Sequence, residues 1–156
     1  MSSRTRPSQT GTPSPTDLSI LLVSAFRGFT RYGTTRFGAY GLSPARVQLI
    51  TAVGEAPGIR MGTLARQLGV TSRAITGLVD ALQAEGLLER QPDPGDRRAF
   101  RLALTDVGMQ QLARIDELHD RVSADAFAGL STQERAQFAE LLQRVIDRTR
   151  QLRHTG

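Results

Sequence analysis

The stretch from Met61 to Arg101 constrains this chain more than any other part of it. Two short helical patterns meet at a Gly69-Val70 turn, and a basic loop follows between two strand-like runs. Met61, Leu64, Ala65 and Leu68 recur at three- and four-residue spacing, which places them on one helical face. Ala65 is small where a second helix must cross closely. Gly69 stands where the first helix has to stop, because the left-handed backbone of such a turn costs least at glycine. Val70 is expected to plug the core, and Thr71 or Ser72 to cap a second helix that buries Ile75, Leu78, Val79 and Leu82. The other face of that helix offers Ser72, Arg73, Thr76 and Gly77, which are short or basic and fit a base edge or a phosphate. Helix, turn, helix and hairpin in this order form a helix-turn-helix with a wing, a device that holds a helix in the DNA major groove.

The remaining composition narrows the alternatives. A chain of 156 residues suits one domain, or one domain with a dimerisation appendage. Cysteine is absent, which excludes disulfides, thiolate metal sites and a thiol redox sensor. His119 and His154 are far apart, so neither a zinc site nor another metal or cofactor is expected. No apolar run approaches the roughly 18 residues needed to cross a bilayer, and the first dozen residues contain no apolar secretory segment. No membrane partner is expected, and the expected location is the cytoplasm. All 20 basic residues are arginine, and the net charge is +5. Residues 1–40 carry +4, residues 60–104 carry +2 and residues 105–156 carry −1. Each cation is therefore a planar fork able to grip phosphate or guanine through two bonds, and the basic excess fits a polyanionic partner.

Four regions follow from the pattern. Residues 1–16 are rich in Ser, Thr, Pro, Gly and Arg and read as a disordered tail, in which Arg4 and Arg6 could brush DNA. Residues 17–40 form an amphipathic helix with Leu18, Leu21, Leu22, Ala25, Phe26, Phe29 and Tyr32 inward. Ile20 and Val23 widen its stripe. Gly28, Gly33 and Gly38 weaken that helix, so a bend or break is expected near its end. Residues 41–104 form the winged core, opened by the helix start Ser43-Pro44. Within it, Leu87–Arg90 and Phe100–Leu104 are short strands around a loop from Gln91 to Ala99. Residues 105–156 form two helices. The first is capped at Thr105-Asp106, with Val107, Leu112, Ile115, Leu118 and Val122 inward. The second opens on the capping box Ser131–Glu134 and carries Phe138, Leu141, Leu142, Val145 and Ile146. The fold class is mainly α with a small β-wing. The terminal helices are more than a core of about 60 residues needs, and they suit an intersubunit bundle in a homodimer.

Double-stranded DNA is the expected partner. Ser72, Arg73 and Thr76 would face base edges with Thr71 capping the helix, and Arg73 could hold guanine by two bonds or grip phosphate alone. Arg60, Thr63 and Gln67 are phosphate candidates that would fix register without reading sequence. Arg97 and Arg98 at the hairpin tip could enter the minor groove. Gly77 suggests close packing or close DNA approach. Arg90 and Arg101 serve either the wing base or surface ion pairs. Phe29, Tyr32, Arg36, Tyr40 and Arg46 combine aromatic walls with guanidinium groups and are candidates for a small aromatic or carboxylate effector. His119 reads as a solvated helix residue.

The run from Leu64 to Leu82, then Glu85-Gly-Leu-Leu-Glu-Arg90, the wing Asp93-Pro-Gly-Asp-Arg-Arg98 and the exit Leu102-Ala-Leu-Thr-Asp-Val-Gly108 resemble the MarR family of bacterial winged-helix regulators. The resemblance spans about residues 17–150. It implies a homodimer joined through the N- and C-terminal helices and a pseudo-palindromic operator, usually repressed. It also implies, for many members, release of DNA when a small phenolic or carboxylated ligand binds. In the resembled family the Asp96-x-Arg98 pair helps shape the wing while an arginine meets DNA. The cysteine of the oxidation-sensing branch, the ligand clusters of the zinc-sensing branch and the tryptophan of some urate-responsive members are missing here.

Other function classes fit less well. A protein-interaction module would carry aromatic or aliphatic anchors where this chain has Ser72, Arg73 and Thr76. An enzyme would need a nucleophile elbow, phosphate loop or metal cluster, none of which is present in the sequence. A non-specific nucleoid protein would differ from a regulator only in its specificity ratio.

Overall fold

The computed structural model describes residues 12–154, apart from the side chains of Arg97, Arg98 and His154. Most of the tail expected over residues 1–16, including Arg4 and Arg6, lies outside the described residues. Among the described residues six helices and three strands follow in order. They are α1 (Pro15–Gly38), α2 (Pro44–Glu55), β1 (Ile59–Arg60), α3 (Met61–Gln67), α4 (Ser72–Ala84), β2 (Leu88–Asp93), β3 (Asp96–Leu104), α5 (Asp106–Ala126) and α6 (Thr132–His154). The sheet is antiparallel with order β1-β3-β2.

Local chemistry explains the boundaries. Ser43 and Thr71 cap α2 and α4 by accepting from the backbone N–H of Arg46 and Ala74 at 3.4 and 3.2 Å. Helices α3 and α4 end the same way. Gly69 and Gly86 turn left-handed at φ 64° and 72°. Beyond them, the Val70 and Leu87 N–H groups reach back to the Ala65 and Leu82 carbonyls at 3.0 and 2.9 Å. Thr105 starts α5: its hydroxyl donates to the Gly86 carbonyl at 2.5 Å and accepts from the Gly108 N–H at 3.1 Å. Leu49, Ile50 and Val53 of α2, Leu64 of α3, Ile75, Val79 and Leu82 of α4, and Leu88, Leu102 and Ile115 are all sealed from solvent in one core. Their spacing of three and four on the helices, with one core residue from each of β2 and β3, is the sequence period realised in three dimensions.

Several expectations need correction. Val70 does not plug the core; it is 42% exposed. Its N–H closes the α3 cap on Ala65, whose methyl group is too small to cover a valine. Val107 does not face inward; it is 55% exposed. Gly108, one position along, takes the inward place because it lies directly against the Leu87 carbonyl. Helix α1 runs unbroken through its glycines, which lower helix propensity but keep every N–H donor. The hairpin loop is only Pro94-Gly95, with strands reaching to Asp93 and from Asp96. A wing that projects into water has no apolar alternation to reveal its strands. Strand β1 is two residues long and carries no periodic signal.

The described residues fall into two units that divide between His119 and Asp120. In the first, His119 lies on the surface with its ring edge-on to Phe37 at 5.6 Å. Much of the apolar face of α1, including Leu21, Leu22 and Phe26, is exposed. In the second, the Phe127 and Phe138 rings meet at a tilt of 48° with centroids 6.2 Å apart, and Ser131 and Glu134 exchange capping bonds at 2.8 and 3.3 Å. Leu141, Val145, Ile146 and Leu152 of α6 are exposed. Among the described residues, no helix is long and apolar enough to cross a membrane.

Gly108 supplies a test of the core. A methyl group there would strike backbone, which cannot swing aside. Gly108→Ala is therefore expected to destabilise the fold by about 1–3 kcal/mol, read from urea unfolding midpoints at unchanged m-value.

Candidate nucleic-acid interface

The hairpin is tied down by one carboxylate. Register places Arg60 of β1 directly opposite Arg101 of β3, and like charges so placed repel. Asp93, at the end of β2, lies between them with its side chain shielded from water. Its Oδ2 accepts from Arg60 Nε at 2.7 Å and from Arg101 Nε at 2.9 Å. Its Oδ1 accepts from Arg60 Nη2 at 3.1 Å and from the Gly95 N–H at 2.8 Å. These bonds, Arg60 first, then Arg101 and Gly95, hold the Asp93 carboxyl well below the usual aspartate range and push the Arg60 guanidinium up. Arg101 therefore serves the wing base. In the sequence Asp93 stands only as the first residue of the wing motif, because nothing in its neighbourhood announces that two distant arginines converge on it.

Helix α4 is held from two sides. Arg46 of α2 pairs in a fork with Glu85 just past the α4 C-terminus, which raises the arginine and lowers the carboxyl. Arg90 of β2 pairs with Asp80 in the middle of α4. The direction of this helix is thus set by charged contacts outside its buried stripe as well as by the core.

Between α3, the start of α4 and the hairpin lies a groove of about 450 Å³. Arg60, Thr63, Ser72, Thr76 and Asp96, all singled out in the sequence, line it together. Arg66 and Phe100, which were not singled out, also line it. Arg66 Nη2 donates to Thr63 Oγ1 at 3.2 Å. The Thr76 hydroxyl donates back to the Ser72 carbonyl at 2.8 Å, a local bond open to threonine in a helix. Gln67, Thr71 and Arg73 are exposed on α3 and at the start of α4 but do not line the groove. Arg97 and Arg98 follow the turn on β3, and their side chains are among those not described. A methyl group at Gly77 would meet nothing within 4 Å, so packing within the protein does not require this glycine.

The five effector candidates are not gathered in the same way. Phe29 is half-buried, Tyr32 carries the Arg36 guanidinium 5.9 Å from its ring centroid, and Tyr40 is exposed in the turn after α1. Arg46 is engaged by Glu85. No group of three or more metal-binding side chains occurs among the described residues.

Asp93 makes the hairpin sensitive to acid. Its carboxyl sits lower in the folded chain than the ordinary value of 3.8, so its contribution is fully present above about pH 4. As pH falls below that, the unfolded chain gains a proton that the folded chain resists, and the contribution declines. Asp93→Asn is expected to lower hydrogen-exchange protection of the β2 and β3 amides at pH 7. The difference from the unsubstituted protein should shrink as pH drops through 4 to 2. Equal protection at pH 7 would show that the two arginines do not need the carboxylate.

A model of the MarR family matches residues 40–99, the span that holds the core helices and most of the hairpin. The chain is 34% identical over 123 residues to a Thauera aromatica protein named for transcriptional regulation of the hcr operon, covering 79% of this chain and 72% of that one. It is 28% identical over 128 residues to the HTH-type transcriptional regulator YkoM of Bacillus subtilis, covering 82% and 83%. Wild-type MarR of E. coli in its apo form superposes with a TM-score of 0.76 at 23% identity, over 86% of this chain and 98% of that one. Fold, matched segment and relatives agree, and the chain belongs to the MarR family of transcriptional regulators.

Proposed function

We propose that this regulator acts as a homodimer that binds a pseudo-palindromic operator in a sequence-specific way and represses it. The observation that carries the reading is the groove, where the exposed start of α4, the arginines of β1 and α3 and the hairpin face one space. In this reading Ser72, Arg73 and Thr76 meet base edges, Arg60, Thr63, Gln67 and Arg66 hold phosphates, and Arg97 and Arg98 enter the adjoining minor groove. Asp93 orients Arg60 toward the backbone by occupying two of its donors. The exposed apolar residues of α1 and of α6 support a helical intersubunit bundle, since monomeric proteins rarely leave such stripes in water. In the dimer, residues 17–40 and 105–156 do the joining and residues 41–104 meet the duplex.

An aromatic or carboxylate effector fits α1 best at Phe29, Tyr32 and Arg36, which share a face at spacings of three and four. Arg46 would have to leave Glu85 to take part. The chemistry of the reading is binding rather than catalysis.

Selection of bound duplexes from a random pool, repeated with aromatic acids present, tests the reading. A two-fold-symmetric site with half-sites about 34–36 Å apart is the expected outcome. Arg73→Ala is expected to relax preference at one symmetric base pair by about 1–3 kcal/mol. Replacing Arg97 and Arg98 together with alanine should weaken binding to all sequences alike. An unchanged gel-shift titration for the double variant would remove the hairpin from the interface.

Gly77 gives an independent check. Space around it is open and helix propensity favours alanine, so Gly77→Ala is expected to stabilise the free protein by roughly 0.8–1 kcal/mol. It should nevertheless reduce operator affinity, measured by anisotropy, if the duplex approaches the helix closely there.

A further inference from the structure

Phe100 is an aromatic side chain placed where the core of the sheet runs out. Side chains on a strand alternate, so Phe100 shares a face of β3 with Leu102. Leu102 is sealed from solvent, whereas Phe100 is 45% exposed and looks into the groove between α4 and the hairpin. The groove is not uniform. Arg66 and Thr63 lie on its α3 side, and Asp96, Ala99 and Phe100 on its hairpin side. Phosphate is favoured beside Arg66, whose guanidinium reaches only the neutral Thr63 hydroxyl, whereas Arg60, which also lines the groove, already faces the Asp93 and Asp96 carboxylates. The Thr76 hydroxyl gives its proton to the Ser72 carbonyl and has none for a phosphate.

A duplex read by α4 in one groove and by the hairpin in the next must pass one sugar–phosphate strand between them. That strand presents alternating anionic and apolar surfaces. We propose, resting on the DNA-binding reading above, that Phe100 is a deoxyribose contact. One phosphate sits on Arg66 and Thr63, and the C2′ face of the adjoining sugar lies against the Phe100 ring. The contact is apolar and neutralises no charge. It also selects deoxyribose, because a 2′-hydroxyl pressed on the ring would lose water and gain no partner. Phe100 thereby helps specify the kind of nucleic acid, and α4 the sequence.

Anisotropy titrations of the full chain against a pool-selected duplex, over a range of salt, test this. Phe100→Ala is expected to weaken binding about tenfold (about 1.4 kcal/mol) with an unchanged salt dependence. Phe100→Leu should keep most of the affinity, and Arg66→Ala should lower the salt slope by about one. Single ribonucleotides placed in turn along the duplex should weaken binding of the unsubstituted protein at one symmetric position, and Phe100→Ala should erase that position. Unchanged affinity for Phe100→Ala, or no position sensitive to ribose, would overturn the sugar contact and leave the regulator reading intact. Failure of the unsubstituted protein to bind any selected duplex would overturn both.

Discussion

Across the β1–β3 pair two guanidinium groups, Arg60 and Arg101, stand opposite each other, an arrangement that repels unless an anion lies between them. Asp93 is that anion. It is shielded from water and accepts four hydrogen bonds, three from the arginines and one from the Gly95 backbone. The same contact joins the end of β2 to the residue that opens α3 and to the middle of β3. The two-residue turn, the short edge strand and the approach of the hairpin to α3 all depend on it. Asparagine there would keep the shape but lose the charge that makes two facing cations tolerable.

The helix beside the hairpin is fixed by different means. Ile75, Val79 and Leu82 bury one stripe of α4, which sets its depth but leaves some freedom to roll. Asp80, on its outer surface, and Glu85, just past its C-terminus, are taken by arginines from β2 and α2. In each pair the arginine is half-buried and the carboxylate more exposed. Both tie α4 to neighbouring elements outside its buried stripe. Among the described residues no ion pair holds Arg73 at the start of α4, the end that carries the side chains proposed for base edges.

Burial divides the chain by task. The winged core seals its large aliphatic side chains, while much of the apolar face of α1 and of α6 is in water. A stripe of that kind is costly in isolation and inexpensive once covered. The apolar excess at the two ends of the chain therefore has the same physical origin as the intersubunit bundle proposed for them. Net charge runs from +4 over residues 1–40 through +2 over residues 60–104 to −1 over residues 105–156, so the basic excess lies in the first two thirds of the chain.

The amino-acid order alone determined the helices and their ends. Period, capping hydroxyls and the left-handed Gly69 are local properties, and Ser72, Thr76, Arg60 and Thr63 could be picked out from them. It also determined that a hairpin follows α4, through Pro94-Gly95. The true length of that hairpin was hidden, because polar residues on both faces leave no alternation. Convergence over long sequence distances was decided only in three dimensions. Asp93 meets Arg60 from 33 residues away, and Glu85 meets Arg46 from 39. Val70 and Val107 turned outward because the cap on Ala65 and the contact of Gly108 with Leu87 settled which neighbour faced the core. Phe100 read as an ordinary strand residue until the fold showed that Leu102 was covered and its neighbour on the same face was not. Local patterns follow from a residue's own neighbourhood, whereas ion pairs, grooves and the edge of a core exist only once distant segments share one space.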